Sequence, residues 1–178
     1  MDKFTALICH PDTPCAAVTG VRASVAWVAE GALRLRYEVE GDIEALVVPL
    51  VGEAERADGL WRHMCFELFL TDGWCEAYRE YNFAPSGAWA SYDFADYRKG
   101  MCDLETAAPE IRVSSEPGLM RCEVTVHCGF TVGRIGLSAV IEERGGGISY
   151  WALAHPPGKP DFHHPACFAA ELPAPLPE

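Results

Sequence analysis

The sequence predicts an all-β fold, a sandwich or a barrel. Three observations carry this. Helical periodicity is weak along the whole chain, while apolar/polar alternation and β-branched or aromatic runs recur. Gly, Pro, Asp and Asn interrupt those runs at short, regular intervals, as turns do between short strands. The 178 residues suit one domain, spanning 1–178, with enough chain for a substantial core. No internal repeat, low-complexity segment or second domain is visible.

Strands are expected near 3–9, 22–29, 32–40, 43–48, 62–71, 75–84, 87–95, 109–115, 119–128, 135–144, 147–155 and 166–171. The clearest are ALRLRYEVE, MCFELFLT, MRCEVTVH and IGLSAVIEE; in the last, Ile135, Leu137, Ala139 and Ile141 share one face. Gly145, Gly146 and Gly147 then turn the chain into ISYWALAH, a hairpin. Pro85, Ser86 and Gly87 form a second turn, Pro fixing φ and Gly permitting a positive one. The polar stretch from Gly52 to Leu60 reads as a loop or a short helical turn. HPPGKPDFHHP, from His155 to Pro165, holds four prolines and must be an ordered loop or an extended arm. The tail PAPLPE is expected to fray.

Bulk properties exclude several functions. A net charge of -12 argues against nucleic acid, whose phosphates need clustered Lys and Arg, and against an anionic membrane surface. No apolar run approaches the roughly 18 to 20 residues of a spanning helix. MDKFTALICH shows no secretory leader, so a cytoplasmic location is expected. The cysteines Cys9, Cys15, Cys65, Cys75, Cys102, Cys122, Cys128 and Cys167 include no CxxC and no zinc spacing, and read as reduced thiols acting as small hydrophobes.

The stretch EAYREYNFAPSGAWASYDF concentrates the chemistry. In the strand before it, Met64, Phe66, Leu68 and Leu70 form a core face, and His63, Cys65, Glu67 and Phe69 face the other way. Glu67 is a carboxylate in mid-strand with apolar residues on both sides, and such a group needs a partner. An ion pair with Arg79 or Arg98 would satisfy it, and so would a ligand. From Glu76 to Asn82 one face carries Glu76, Tyr78, Glu80 and Asn82, mixing rings with carboxylates and an amide. Such a face can stack a flat ligand surface and hydrogen-bond its edges, as sugars and porphyrins require. A half-buried aromatic cluster under a loop would leave the same pattern.

Catalytic motifs are lacking: there is no GxSxG, HExxH or P-loop, and no GxGxxG in a βα setting. Glu67 and Glu80 could form a carboxylate pair of the sort that cleaves glycosides, but carboxylates often meet by chance on neighbouring strands. His155, Asp161 and His163 are the nearest approach to a metal cluster. The expectation is a protein that is not an enzyme and holds no metal.

The order LW(x)5ELFL followed by Y(x)2YNFAPSG(x)W resembles the DOMON-like superfamily, which includes family 9 carbohydrate-binding modules and haem-binding domains of some dehydrogenases. The resemblance rests on Trp61, Glu67, Tyr78, Tyr81, Asn82, Pro85 and Gly87, and YWALAHPPGKPDFHHPACFAAEL resembles the family's closing region. It implies a two-sheet antiparallel β-sandwich, jelly-roll or immunoglobulin-like, with a ligand site on or at one end of a sheet. For the sugar-binding relatives it implies a slot between two tryptophans, here Trp61 and Trp151. For the haem-binding relatives it implies axial ligands, with Met64, Met101, His155, Lys159, His163 and His164 as candidates.

The expected function is therefore a non-catalytic module for a carbohydrate or related small polar ligand. Trp61, Tyr78 and Trp151 would supply rings, and Glu67, Asn82, Arg98 and His155 the polar contacts. The expected partner is this sugar-like small molecule, with no nucleic acid, no membrane and an oligomeric state left open. The alternatives are a haem-binding electron-transfer domain, and a structural or protein-interaction domain in which Arg98, Glu67 and Glu80 form a buried ion network.

Overall fold

The computed structural model describes residues 3–73, 76–129 and 133–172. Among these lie twelve strands and three short 3-10 turns. The strands are β1 (Thr5–Cys9), β2 (Val18–Ala29), β3 (Ala32–Gly41), β4 (Cys65–Thr71), β5 (Tyr78–Phe83), β6 (Trp89–Phe94), β7 (Cys102–Asp103), β8 (Glu110–Glu116), β9 (Leu119–His127), β10 (Arg134–Glu142), β11 (Ile148–Ala152) and β12 (Ala170–Glu171). The fold is all-β and the strand pairs are antiparallel. Among the described residues no helix is long and apolar enough to cross a membrane.

The strands run in the order β7-β6-β5-β4-β10-β11-β1-β2-β3-β9-β8, with β12 added beside β10. This is one curled sheet, where two separate sheets were expected. The cause is β1, which pairs Leu7 with Val21 of β2 and, two residues on, Cys9 with Trp151 of β11. The two flanks of the sheet face each other across the main core. Tyr37 of β3 stacks on Phe66 of β4 at 4.8 Å and donates its hydroxyl to the Glu67 carbonyl at 2.7 Å.

Alternation builds that core as read from sequence. Leu33, Leu35, Tyr37 and Val39 from one flank meet Met64, Phe66, Leu68 and Leu70 from the other. Burial of these side chains is the main stabilising term, about 1.5–3 kcal/mol for each large apolar residue. The hairpins also form. Gly146 takes φ 85° in the β10–β11 turn, and Gly87 takes φ 97° in the β5–β6 turn, where Ala84 N–H donates to the Ala88 carbonyl.

Two elements differ from the reading, 43–48 and 166–171; in the latter the chain makes the 3-10 turn Pro165–Cys167 and only Ala170–Glu171 pair as a strand. The segment 43–48 is not a strand: Ile43–Ala45 is a 3-10 turn and only Leu46 makes an isolated bridge, to Glu143. Gly41, at φ 146°, swings the chain so that Asp42 N–H donates to the Ala17 carbonyl at 2.7 Å, which ends the ladder. The loop before Leu60 lies along the outer edge of β6, where Trp89 exchanges hydrogen bonds with Glu55 and Ala57. It ends in the 3-10 turn Leu60–Arg62. That covering masks a sheet edge open to pairing. The seven described cysteines are free, and Cys75 lies outside the described residues, as does PAPLPE.

Candidate functional site

The face of β4, β5, β6, β10 and β11 turned away from the main core carries a second apolar cluster. It includes Cys65, Phe69, Tyr78, Tyr92, Phe94 and Val140. The proline-rich segment after His155 folds over this face, adding Phe162 and Phe168 to the cluster. A polar group sits within it, brought together by register. Glu67 lies opposite Asn82 of β5 and Ser138 of β10. Ser138 Oγ donates to Glu67 Oε2 at 2.9 Å, and Asn82 Nδ2 donates to Glu80 Oε1 at 2.7 Å.

Both carboxyls are almost wholly buried, Glu67 being 2% exposed. Burial raises the pKa of each well above the usual carboxylate range, and the Glu80 charge raises that of Glu67 further. The partner expected for Glu67, Arg79 or Arg98, is a different one: Ser138. Arg79 points to the opposite face, where its Nε donates to Asp93 at 2.9 Å, and Arg98 is bound to Asp161. The buried Arg98–Glu67–Glu80 ion network is thus not formed as such.

A chain of contacts leads outward from Glu80. Its Oε2 lies 3.8 Å from His163 Nε2, and His163 Nδ1 lies 2.8 Å from the Tyr78 hydroxyl. By distance the first contact counts as an ion pair. Burial, then the Arg98 charge, lowers the His163 pKa to about 4, so near neutral pH the imidazole is uncharged and the contact is not ionic. Tyr78 stacks on Phe94 at 4.7 Å and accepts from Arg98 N–H at 3.2 Å. Arg98 holds φ 54°, a left-handed conformation uncommon outside glycine, in the turn after β6. Its guanidinium donates twice to Asp161 Oδ1, from Nε at 3.2 Å and Nη2 at 2.7 Å. Tyr97 donates its hydroxyl to Asp161 Oδ2. Asp161 therefore fastens the Tyr97–Arg98 turn to the proline-rich loop, and these partners hold its pKa below the usual range against the effect of burial.

Two cavities open at this junction. One, of about 360 Å3, is lined by Tyr97, Arg98, Lys159, Asp161, His164 and three prolines. The other, of about 260 Å3, is lined by residues that include Glu76, Tyr78, Tyr97, Arg134, His163 and Phe168. Tyr97 borders both.

Of the ligand contacts expected from sequence, Tyr78 and Arg98 line these cavities. Glu67 and Asn82 belong to the same face but lie sealed beneath it. The tryptophan slot is not present. Trp151 is 6% exposed inside the main core with its indole N–H donating to Ser149, whereas Trp61 is 49% exposed on the turn before β4. Alternation explains this: Ala152, next to Trp151, faces the second cluster, so Trp151 must face the core. His155 does not line either cavity; its Nε2 lies 2.8 Å from the Ile8 carbonyl, and its ring meets His10 edge-on at 4.9 Å.

The haem ligands do not fit either. Met64 is fully buried in the main core, His163 is held by Tyr78, His155 by Ile8, and His164 Nδ1 accepts from Ala166 N–H. Met101 and Lys159 are exposed. Among the described residues no group of three His, Cys, Asp or Glu is placed to hold a metal ion. Tyr97 and Arg134 were missed as site residues, and Lys159 was named only as a haem ligand. The signal for Tyr97 was its place beside Arg98 in the turn ADYRKG.

No protein-family model matches the sequence, and no curated protein does. A solved structure is similar in fold: a "putative carbohydrate-binding protein" from Bacteroides uniformis, with a TM-score of 0.67 at 14% identity, covering 93% of this chain and 84% of that one. At that identity the likeness is one of fold, and this chain carries the fold of that all-β protein over nearly its whole described length.

Proposed function

We propose that the chain is a non-catalytic binding module for a carbohydrate or related small polar ligand. One observation carries the proposal. Two adjacent cavities share the half-exposed ring of Tyr97, and Asp161 fixes that ring by its hydroxyl. An aromatic wall beside a few oriented polar groups is the means by which concave sites hold polar rings. The fold likeness to a protein described as carbohydrate-binding supports the same reading. So do Trp61, Glu67, Tyr78 and Asn82 in their DOMON-like order, and we read the chain as a DOMON-like domain.

The binding face proposed is the junction of the Tyr97–Arg98 turn with the proline-rich loop. Asn82 acts from beneath, by holding Glu80, whose other oxygen faces His163. The test is a thermal-shift screen of neutral and acidic mono- and oligosaccharides, repeated on Tyr97→Ala. A ligand at a hundred times its Kd adds about 2.7 kcal/mol to stability. The expected result is a shift with at least one sugar that disappears in the variant. A shift that persists in Tyr97→Ala would move the site elsewhere, and no shift with any sugar would leave a structural or protein-interaction role.

A further inference from the structure

We propose that the larger cavity takes a sugar bearing an anionic group, a carboxylate or a sulfate, with Lys159 as its charge partner. This rests on the carbohydrate-binding reading above and narrows it to acidic sugars.

The argument starts from charge. The chain carries a net -12, yet this cavity is lined by two basic side chains, Arg98 and Lys159, and one acid, Asp161. That acid is already committed. Asp161 Oδ1 accepts from Arg98 Nε, Arg98 Nη2 and His163 N–H, and Oδ2 accepts from the Tyr97 hydroxyl. Arg98 and Asp161 therefore cancel, and neither offers a strong site to a ligand. Lys159 is exposed and makes no ion pair with any described residue. The ammonium is the one uncancelled charge in the lining, with three donors to give.

Further details agree. His164 Nδ1 accepts from Ala166 N–H at 3.1 Å, so in the neutral ring the proton sits on Nε2, a second donor on the same lining. Pro156, Pro157 and Pro160 form much of the remaining wall. Their fixed φ makes the loop stiff, so less ordering accompanies binding. The rings of Tyr97 and His164 meet at 82° with centroids 6.3 Å apart, and both line this cavity. The smaller cavity differs, since Glu76 and Arg134 line it with charges of both signs. Only the larger one has a clear preference for an anion.

The experiment is titration calorimetry with matched pairs: glucuronic acid against glucose, galacturonic acid against galactose, and glucose 6-sulfate, with acetate alone as a control. The wild-type chain is expected to bind an acidic member about tenfold tighter than its neutral twin at low salt, with the preference shrinking at 0.3 M salt. Lys159→Gln is expected to abolish the preference and leave the circular dichroism spectrum unchanged, and Lys159→Arg to keep most of it. Equal binding of neutral and acidic sugars, or a preference that survives Lys159→Gln, would overturn this inference and leave the carbohydrate reading standing. Binding of acetate as tight as that of the acid sugars would overturn it in favour of a simple anion site. No binding of any sugar would overturn both.

Discussion

The Tyr78 hydroxyl lies 2.8 Å from His163 Nδ1 and also accepts from Arg98 N–H, so a single phenol ties β5 to both segments that wall the cavities. Tyr78→Phe keeps the ring stacked on Phe94 but leaves the other two groups without that partner. The expected cost is about 1–3 kcal/mol by urea denaturation. Sugar affinity is expected to fall with it, because Tyr97 and His163 lose their common support. A variant as stable as the wild type would show that water satisfies both groups.

The buried carboxyls make stability depend on pH. Burial raises Glu67 and Glu80 from 4.5 to about 8 and about 7. The unfolded chain loses these protons near 4.5 and the folded chain keeps them until pH 7 to 8. Across that interval the unfolded state binds fewer protons, so stability falls as pH rises. His163 works in the opposite sense: its folded pKa is lowered from 6.5 to about 4, so stability rises with pH over that range. The two trends oppose each other up to about pH 6.5, and above it the decline stands alone. The melting temperature is expected to drop between pH 6.5 and 8.5, and Glu67→Gln to flatten that drop. A melting temperature that stays level over this range would mean that the pair is ionised when folded.

The two tryptophans once paired by position now separate by environment. Trp151→Ala removes a buried indole from the main core and is expected to cost about 3–5 kcal/mol. Trp61→Ala, at an exposed site, is expected to change stability by less than about 0.5 kcal/mol. Chemical denaturation of both variants checks this. Sugar binding that survives Trp61→Ala would locate the stacking wall at Tyr97.

Gly41 is fixed by geometry. At φ 146°, a Cβ there would stand 2.1 Å from the Ala17 carbonyl oxygen. Gly41→Ala is expected to destabilise by on the order of 3 kcal/mol or more, through both strain and collision. Gly20→Ala, with open space around its Cβ, is the control and is expected to be far milder. Similar midpoints for the two in urea would contradict the turn as described.

The strands were legible because alternation is a local property. β3, β9 and β10 lie within about two residues of their expected bounds: Leu33 to Val39 and Met120 to Val126 bury every second side chain, while Ile135 to Ile141, covered on both faces, is a continuous buried run. IEALVV misled for the opposite reason. Its composition suits a strand, but the preceding Gly41 and Asp42 redirect the backbone. The two-residue β7 carries too little pattern to be seen. The candidate site was half legible. The mid-strand Glu67 announced a special face, but what covers it depends on where the proline-rich loop travels. Asp161 bonds Tyr97 and Arg98 across more than sixty residues of chain, and no local pattern encodes that meeting.

The double pairing of β1 has a consequence for biogenesis. Ile8 is made long before its partner on β11, Ala152, which is among the last parts of the described barrel-like wall to be made. Until then β1 holds only β2, and the far flank has no seam to close against. Completion of the wall during synthesis must wait for Ala152 to leave the exit tunnel, and the nascent chain before that point is the stage most in need of a chaperone.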